Sequence, residues 1–151
     1  LSLGVVAVVY VLILLGLAVV IAPLVSVMPS KSQRAKAALR DEARGRSFRV
    51  SLRPLPAVPP RFRLQVDTEL ACYEWRLPQS SPVANPGESF VCVEGAWSPT
   101  QGAGNAPDWL AELPEGVVYA ERVEQAVSIF WDEKMGSEGL SMLCQAIEKI
   151  D

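Results

Sequence analysis

Residues Leu3–Met28 read LGVVAVVYVLILLGLAVVIAPLVSVM, with no Asp, Glu, Lys or Arg among them. An α-helix needs about 20 apolar residues to cross the ~30 Å hydrocarbon layer of a bilayer. Lipid offers no partner for backbone polar groups, so a lone span must be helical. The run predicts one transmembrane helix within an anchor of residues 1–29. Pro23 marks a kink or the approach to the interface. A cleaved signal peptide would place positive charge before a core of about 7–15 apolar residues. Here the apolar run is longer and the charge follows it. Ala18 and Ala22 have the small-xxx-small spacing of a helix-pairing face, a spacing that Ala-rich spans also show through composition alone.

Outward from the span the chain turns basic. Lys31, Arg34, Lys36, Arg40, Arg44 and Arg46 follow it closely, and no basic residue precedes it in this sequence. The positive-inside rule then expects a periplasmic N-terminus and a cytoplasmic domain on a bacterial inner membrane. Residues 30–46 read as a juxtamembrane helix. Ser30 or Ser32 caps it, Gly45 stops it, and Ala35, Ala38, Leu39 and Ala43 form a modest apolar stripe. Its six cations define a membrane-surface site if the helix lies on anionic head groups, at about 1 kcal/mol per basic residue. They act only on topology if it does not.

Charge divides the chain. Through Arg63 there are ten Lys/Arg and two Asp/Glu, a net of +8; from Leu64 there are four Lys/Arg and fifteen Asp/Glu, a net of −11. A basic end beside an apolar helix points to a membrane contact, and the acidic remainder argues against nucleic acid. Histidine is absent, which removes the commonest metal ligand and the commonest general base at neutral pH. Cys72, Cys92 and Cys144 form neither a disulfide framework nor a zinc pattern. In a reducing cytoplasm they read as small buried residues, with Cys72 and Cys92 as possible cross-strand neighbours.

Residues 47–151 predict a small α+β domain. Phe48, Val50 and Leu52 alternate through Ser47–Arg53, and Phe62, Leu64 and Val66 through Arg61–Asp67, as half-buried strands do. A stiff Pro-rich connector, 54–60, joins them, and its Pro56 and Pro59 also match a PxxP ligand pattern. Further strands are expected at Leu70–Leu77, Phe90–Glu94, Val117–Glu121 and Ala126–Trp131, the last two as a hairpin. Pro78–Gly87 and Ser98–Ala106 read as loops, and Pro107–Leu113 as one or two helical turns. Ser137 caps a final helix to Ile150, with Leu140, Leu143, Cys144 and Ile147 facing the core. The expected architecture is an antiparallel sheet with that helix across one face.

No motif for catalysis, a cofactor or a metal emerges. Glu121, Glu124, Asp132 and Glu133 read as a solvated acidic surface. Of the tryptophans, Trp97, Trp109 and Trp131 are candidates for a partner-binding patch, with core packing as the alternative. The plan of the chain resembles the bacterial translocon accessory family YajC from Leu3 to about Arg46, though the Gly-Asp and Gly-Gly turns of that family do not follow. It is also similar in plan to ZipA-type division anchors, with a far shorter linker. The resulting expectation is a single-pass inner-membrane accessory or scaffold protein whose acidic domain docks a membrane-complex subunit. A sensor of anionic lipid and a YajC-like translocon accessory are the alternatives. A membrane-tethered enzyme, with no small-molecule substrate identified, comes last.

Overall fold

A computed structural model describes residues 2–64 and 69–150. The chain forms two compact units, Leu1–Arg34 and Ala35–Asp151.

In the first unit, helix α1 runs from Leu3 to Val27 and buries none of its residues. It is long and apolar enough to cross a membrane. Pro23 does not end it. The chain stays helical to Val27, and the Ser26 hydroxyl donates to the Pro23 carbonyl at 2.9 Å. Helix α2, Lys31–Gly45, opens with a capping box. The Ser30 Oγ accepts from the Gln33 backbone N–H at 3.2 Å, and the Gln33 Oε1 accepts from the Ser30 N–H at 3.0 Å.

The end of α2 belongs to the second unit. Gly45 is its last helical residue, but the left-handed turn falls at Ser47, with φ 72°. Phe48 N–H bonds the Ala43 carbonyl at 3.0 Å and Ser47 N–H that of Arg44 at 3.1 Å, a Schellman closure. Ala43 and Phe48 are both buried there, and so is Leu39. The expected division between a basic helix ending at Arg46 and a domain beginning at Ser47 runs through this unit.

Among the described residues six strands follow: β1 Arg49–Arg53, β2 Leu70–Arg76, β3 Ala84–Val93, β4 Ala96–Pro99, β5 Val117–Glu124 and β6 Ala126–Trp131. They form one sheet in the order β1-β2-β6-β5-β3-β4, antiparallel at every pair. Helix α3, Gly136–Glu148, completes the α+β fold. Successive side chains of a strand point to opposite faces. Tyr73, Val127, Ile129, Trp131, Ala120 and Phe90 therefore share one face, where they pack with Leu140, Leu143, Ala146 and Ile147 of α3. Leu39 and Ala43 of α2 join that core, as do Trp109 and Leu110 of a 3-10 segment at Asp108–Glu112.

The second face carries Cys72, Phe130 and Tyr119, covered by Leu55 and Val58 of the connector together with Leu70 and Val118. The connector is thus a strap laid across the sheet. It leaves β1 at one edge, and the Arg61 Nη2 donates to the Thr100 carbonyl beside the opposite edge at 3.0 Å.

Several expectations need correction. Pro60–Phe62 is a 3-10 turn, and Arg63 has φ 48°, so no strand starts at Arg61. Residues 65–68 of that expected strand lie outside the described residues. The loop at Pro78–Gly87 is shorter than composition suggested, because β3 begins at Ala84 and carries a register shift between Ala84 and Glu88. β4 was unforeseen. Its signal is Glu94-Gly95, with φ 52° and 78°, the paired left-handed conformations of a two-residue hairpin turn. Cys72 and Cys92 are not neighbours, since β6 and β5 separate their strands; Cys72 pairs Ser51 and Phe130, and Cys92 pairs Trp97. Ser137 lies inside α3 and donates to Glu42 Oε2 at 3.0 Å instead of capping the helix.

Candidate functional site

The strongest polar cluster stands where α2 meets the end of β6. Glu133 follows β6 with φ 63° and points inward, the residue being 5% exposed. The Arg40 guanidinium donates to both carboxylate oxygens, Nε to Oε1 at 2.8 Å and Nη2 to Oε2 at 2.7 Å. The fully buried Tyr73 hydroxyl donates to Oε1 at 2.8 Å. Burial, and then donation to Glu133, hold the Tyr73 phenol well above its ordinary range, so it stays a donor. The hydrogen bond to Glu133 raises the Arg40 value further, against the effect of burial. This is a structural lock joining α2 to the sheet. Sequence reading puts Glu133 on a solvated surface; its burial depends on Arg40, 93 positions away, and no spacing rule reveals it.

The other expected membrane-surface cations divide into two groups. Arg44 pairs with Asp41 at 2.9 Å and Arg46 with Glu42 at 2.9 Å, both along α2 and both exposed. Arg46 also donates to the Cys144 sulfur at 3.6 Å, a contact that raises its own value. Lys31, Arg34 and Lys36 make no ion pair among the described residues. The structure does not gather the six into one site, because Arg40 turns into the core.

The three candidate tryptophans also separate. Trp131 is wholly buried, its Nε1 donating to the Glu115 carbonyl at 3.3 Å, and Trp109 is 7% exposed. Neither has an exposed ring to offer a partner, and core packing accounts for both. Trp97 on β4 is half-buried. It lines a groove of about 730 Å³ with Cys92, Leu110, Leu113, Val117 and Val118. Asp108 and Glu115 stand at the same groove. Burial raises the Cys92 thiol, which works against its ionisation there.

No protein-family model matches the chain, and no curated protein or solved structure is significantly similar to it. The site is therefore read from its own residues.

On the strap face a polar row crosses the sheet. Glu74, Ser128, Glu121 and Ser89 are cross-strand partners in succession. Arg53 Nη2 donates to Glu74 at 3.2 Å, Tyr119 OH donates to Glu121 at 3.3 Å, and Ser89 Oγ shares a hydrogen bond with Thr100 Oγ1. Each carboxylate in this row is thus held by a donor. Among the described residues, no three Cys, Asp or Glu side chains stand together as a metal cage.

Proposed function

We propose that this chain is a single-pass accessory or scaffold protein of a bacterial inner membrane, whose acidic cytoplasmic domain docks a subunit of a membrane complex. The observation that carries the reading is α1. It is a helix of 25 residues without charge, none of them buried, and such an apolar surface supports a lipid-facing position. Three residues connect it to α2, whose Leu39 and Ala43 belong to the domain core. That short connection makes the domain a tethered one. The cluster of cations after α1 supports the cytoplasmic side through the positive-inside rule. The half-buried Trp97 and its groove support docking, since aromatic residues are enriched where partners bind.

The lipid-sensing alternative is weaker. Arg40 is committed to Glu133, and Arg44 and Arg46 already have carboxylate partners, which leaves Lys31, Arg34 and Lys36 for head groups.

Two measurements test the proposal. A fluorescent reporter fused after Asp151 should mature in the cytoplasm, and a phosphatase that acts only in the periplasm should be inactive at the same point. The reverse pattern sinks the orientation. Purification in a gentle detergent should give a stoichiometric membrane partner; a chain that purifies alone as a monomer removes the scaffold role.

A further inference from the structure

The groove beside β4 combines an apolar lining with a negative rim. No Lys or Arg is among its fourteen lining residues, and its charged members are the exposed Asp108 and Glu115. Neither carboxylate has an ion-pair partner among the described residues. Glu94 and Glu112 are exposed immediately beside lining residues, with Glu112 held by Lys149 at 2.9 Å. The lining itself is apolar: Trp97, Leu110, Leu113, Val117 and Val118. By contrast, the cleft near the Arg40–Glu133 lock holds Lys36, Arg40 and Lys134 against Glu69, Asp132 and Glu133, and its charges balance.

The strand edge narrows the choice of occupant. β4 is an edge strand, the usual place for a peptide to add as a further strand. Yet Pro99 has no N–H to offer, and Arg61 Nη2 approaches its carbonyl at 3.5 Å. A backbone ladder is therefore interrupted at Pro99. What remains is an apolar recess with a negative rim.

We propose that this groove binds a peptide segment of the partner protein in which an apolar anchor side chain is flanked by Lys or Arg. The proposal rests on the docking role given above and specifies its surface. The anchor fills the recess against Trp97 and Val118, and the flanking cations meet Asp108 and Glu115. The net negative charge of the unit from Ala35, twelve Lys/Arg against seventeen Asp/Glu, draws such a segment in, and the two rim carboxylates fix where it lands.

The test uses the full chain in nanodiscs of neutral phosphatidylcholine, so that a basic probe has no anionic lipid to bind. The probe is a fluorescent twelve-residue peptide with two central Leu and six flanking Lys or Arg, compared with its counterpart carrying Glu at those six positions. Binding of the basic peptide should be at least tenfold tighter. In a Cys144→Ala background, with Cys72 fully buried, it should slow maleimide labelling of Cys92 at least fivefold. The paired change Asp108→Lys and Glu115→Lys should abolish both effects. An equal charge change elsewhere, Glu124→Lys with Glu138→Lys, should leave the protection of Cys92 in place. Equal affinity for the two peptides, unaltered Cys92 labelling, or equal loss in the two charge variants overturns the groove. A natural partner that co-purifies as well with the Asp108→Lys/Glu115→Lys chain overturns the groove while the docking role stands. A chain with no partner at all fails the docking role itself.

Discussion

Arg40 looks, along the sequence, like one of six cations waiting for lipid. In the fold it has a single assignment, the buried carboxylate of Glu133. The two ends of this pair are not equivalent. The Glu133 side chain is 2% exposed and the Arg40 side chain 23%. Removing one partner of a buried pair costs roughly 3–5 kcal/mol when the other charge stays trapped. Arg40→Met traps Glu133, so it should cost about 3 kcal/mol, the low end of that range, since Arg40 is already partly hydrated. Glu133→Gln leaves Arg40 free to turn toward water and Gln still able to accept from Tyr73, so about 1–2 kcal/mol is expected. Urea midpoints of the full chain in detergent would measure both, and an equal or larger loss for Glu133→Gln would contradict the asymmetry. Cys72 gives a pH prediction. Burial pushes its thiol up from 9.0 to about 11. The folded state keeps a proton that the unfolded chain releases, so stability is intact below the ordinary thiol value of 9.0 and falls as pH rises toward about 11. Tyr73, raised by burial, acts in the same direction at higher pH. Cys72→Ala should make the alkaline decline shallower in that window; an unchanged slope of denaturation midpoint against pH would refute the assignment.

Among the elements, α3 was the most legible. Leu140, Leu143 and Ile147 lie at the spacing that puts them on one face, and all three are buried. What the spacing does not reveal is why Gly139 sits inside that helix. A Cβ at Gly139 would lie 2.5 Å from the Trp131 ring and 2.8 Å from the Met135 Cβ. Ala is the better helix former by about 1 kcal/mol, yet overpacking of a filled core costs about 1–3 kcal/mol. Gly139→Ala should therefore destabilise by about 1 kcal/mol net, as the overpacking cost exceeds the helix gain. A rise in thermal midpoint would show that Trp131 yields easily. The strand errors differ in origin. Period-two alternation from Arg61 reads as a strand, but alternation reports one-sided burial rather than pairing, and the described start of the stretch is a 3-10 turn at Pro60–Phe62 followed by a left-handed Arg63. β4 was missed for the opposite reason. Only four residues long, it is held by the Glu94-Gly95 turn and by its pairing with β3, and it shows little pattern of its own.

At the scale of the molecule, the second compact unit starts at Ala35 and takes α2 into its core. A soluble fragment 30–151 should unfold in one cooperative transition. A fragment 47–151 loses Leu39, Ala43 and the Arg40 partner of Glu133, and should unfold at a midpoint at least 10 °C lower or fail to stay soluble, as loss of several kcal/mol requires in a domain of this size. Equal midpoints for the two fragments would make α2 a dispensable neck. The candidate site was legible only in part. Trp97 was named among the tryptophans, but its groove is assembled from β3, β4, β5 and the Asp108–Glu112 segment, so no local stretch encodes it. The apolar run from Leu3 was readable from the sequence alone, because a helix in lipid satisfies its own backbone and needs no partner segment. The charge asymmetry and the 3.6-residue period of α3 were readable for the same reason: each is a property of one continuous segment. The fate of the basic helix was not. Whether Arg40 faces lipid or Glu133 depends on two residues 93 positions apart, and only the packed sheet brings them together. Strand order, the strap and the groove share that cause, since each depends on contacts between distant segments.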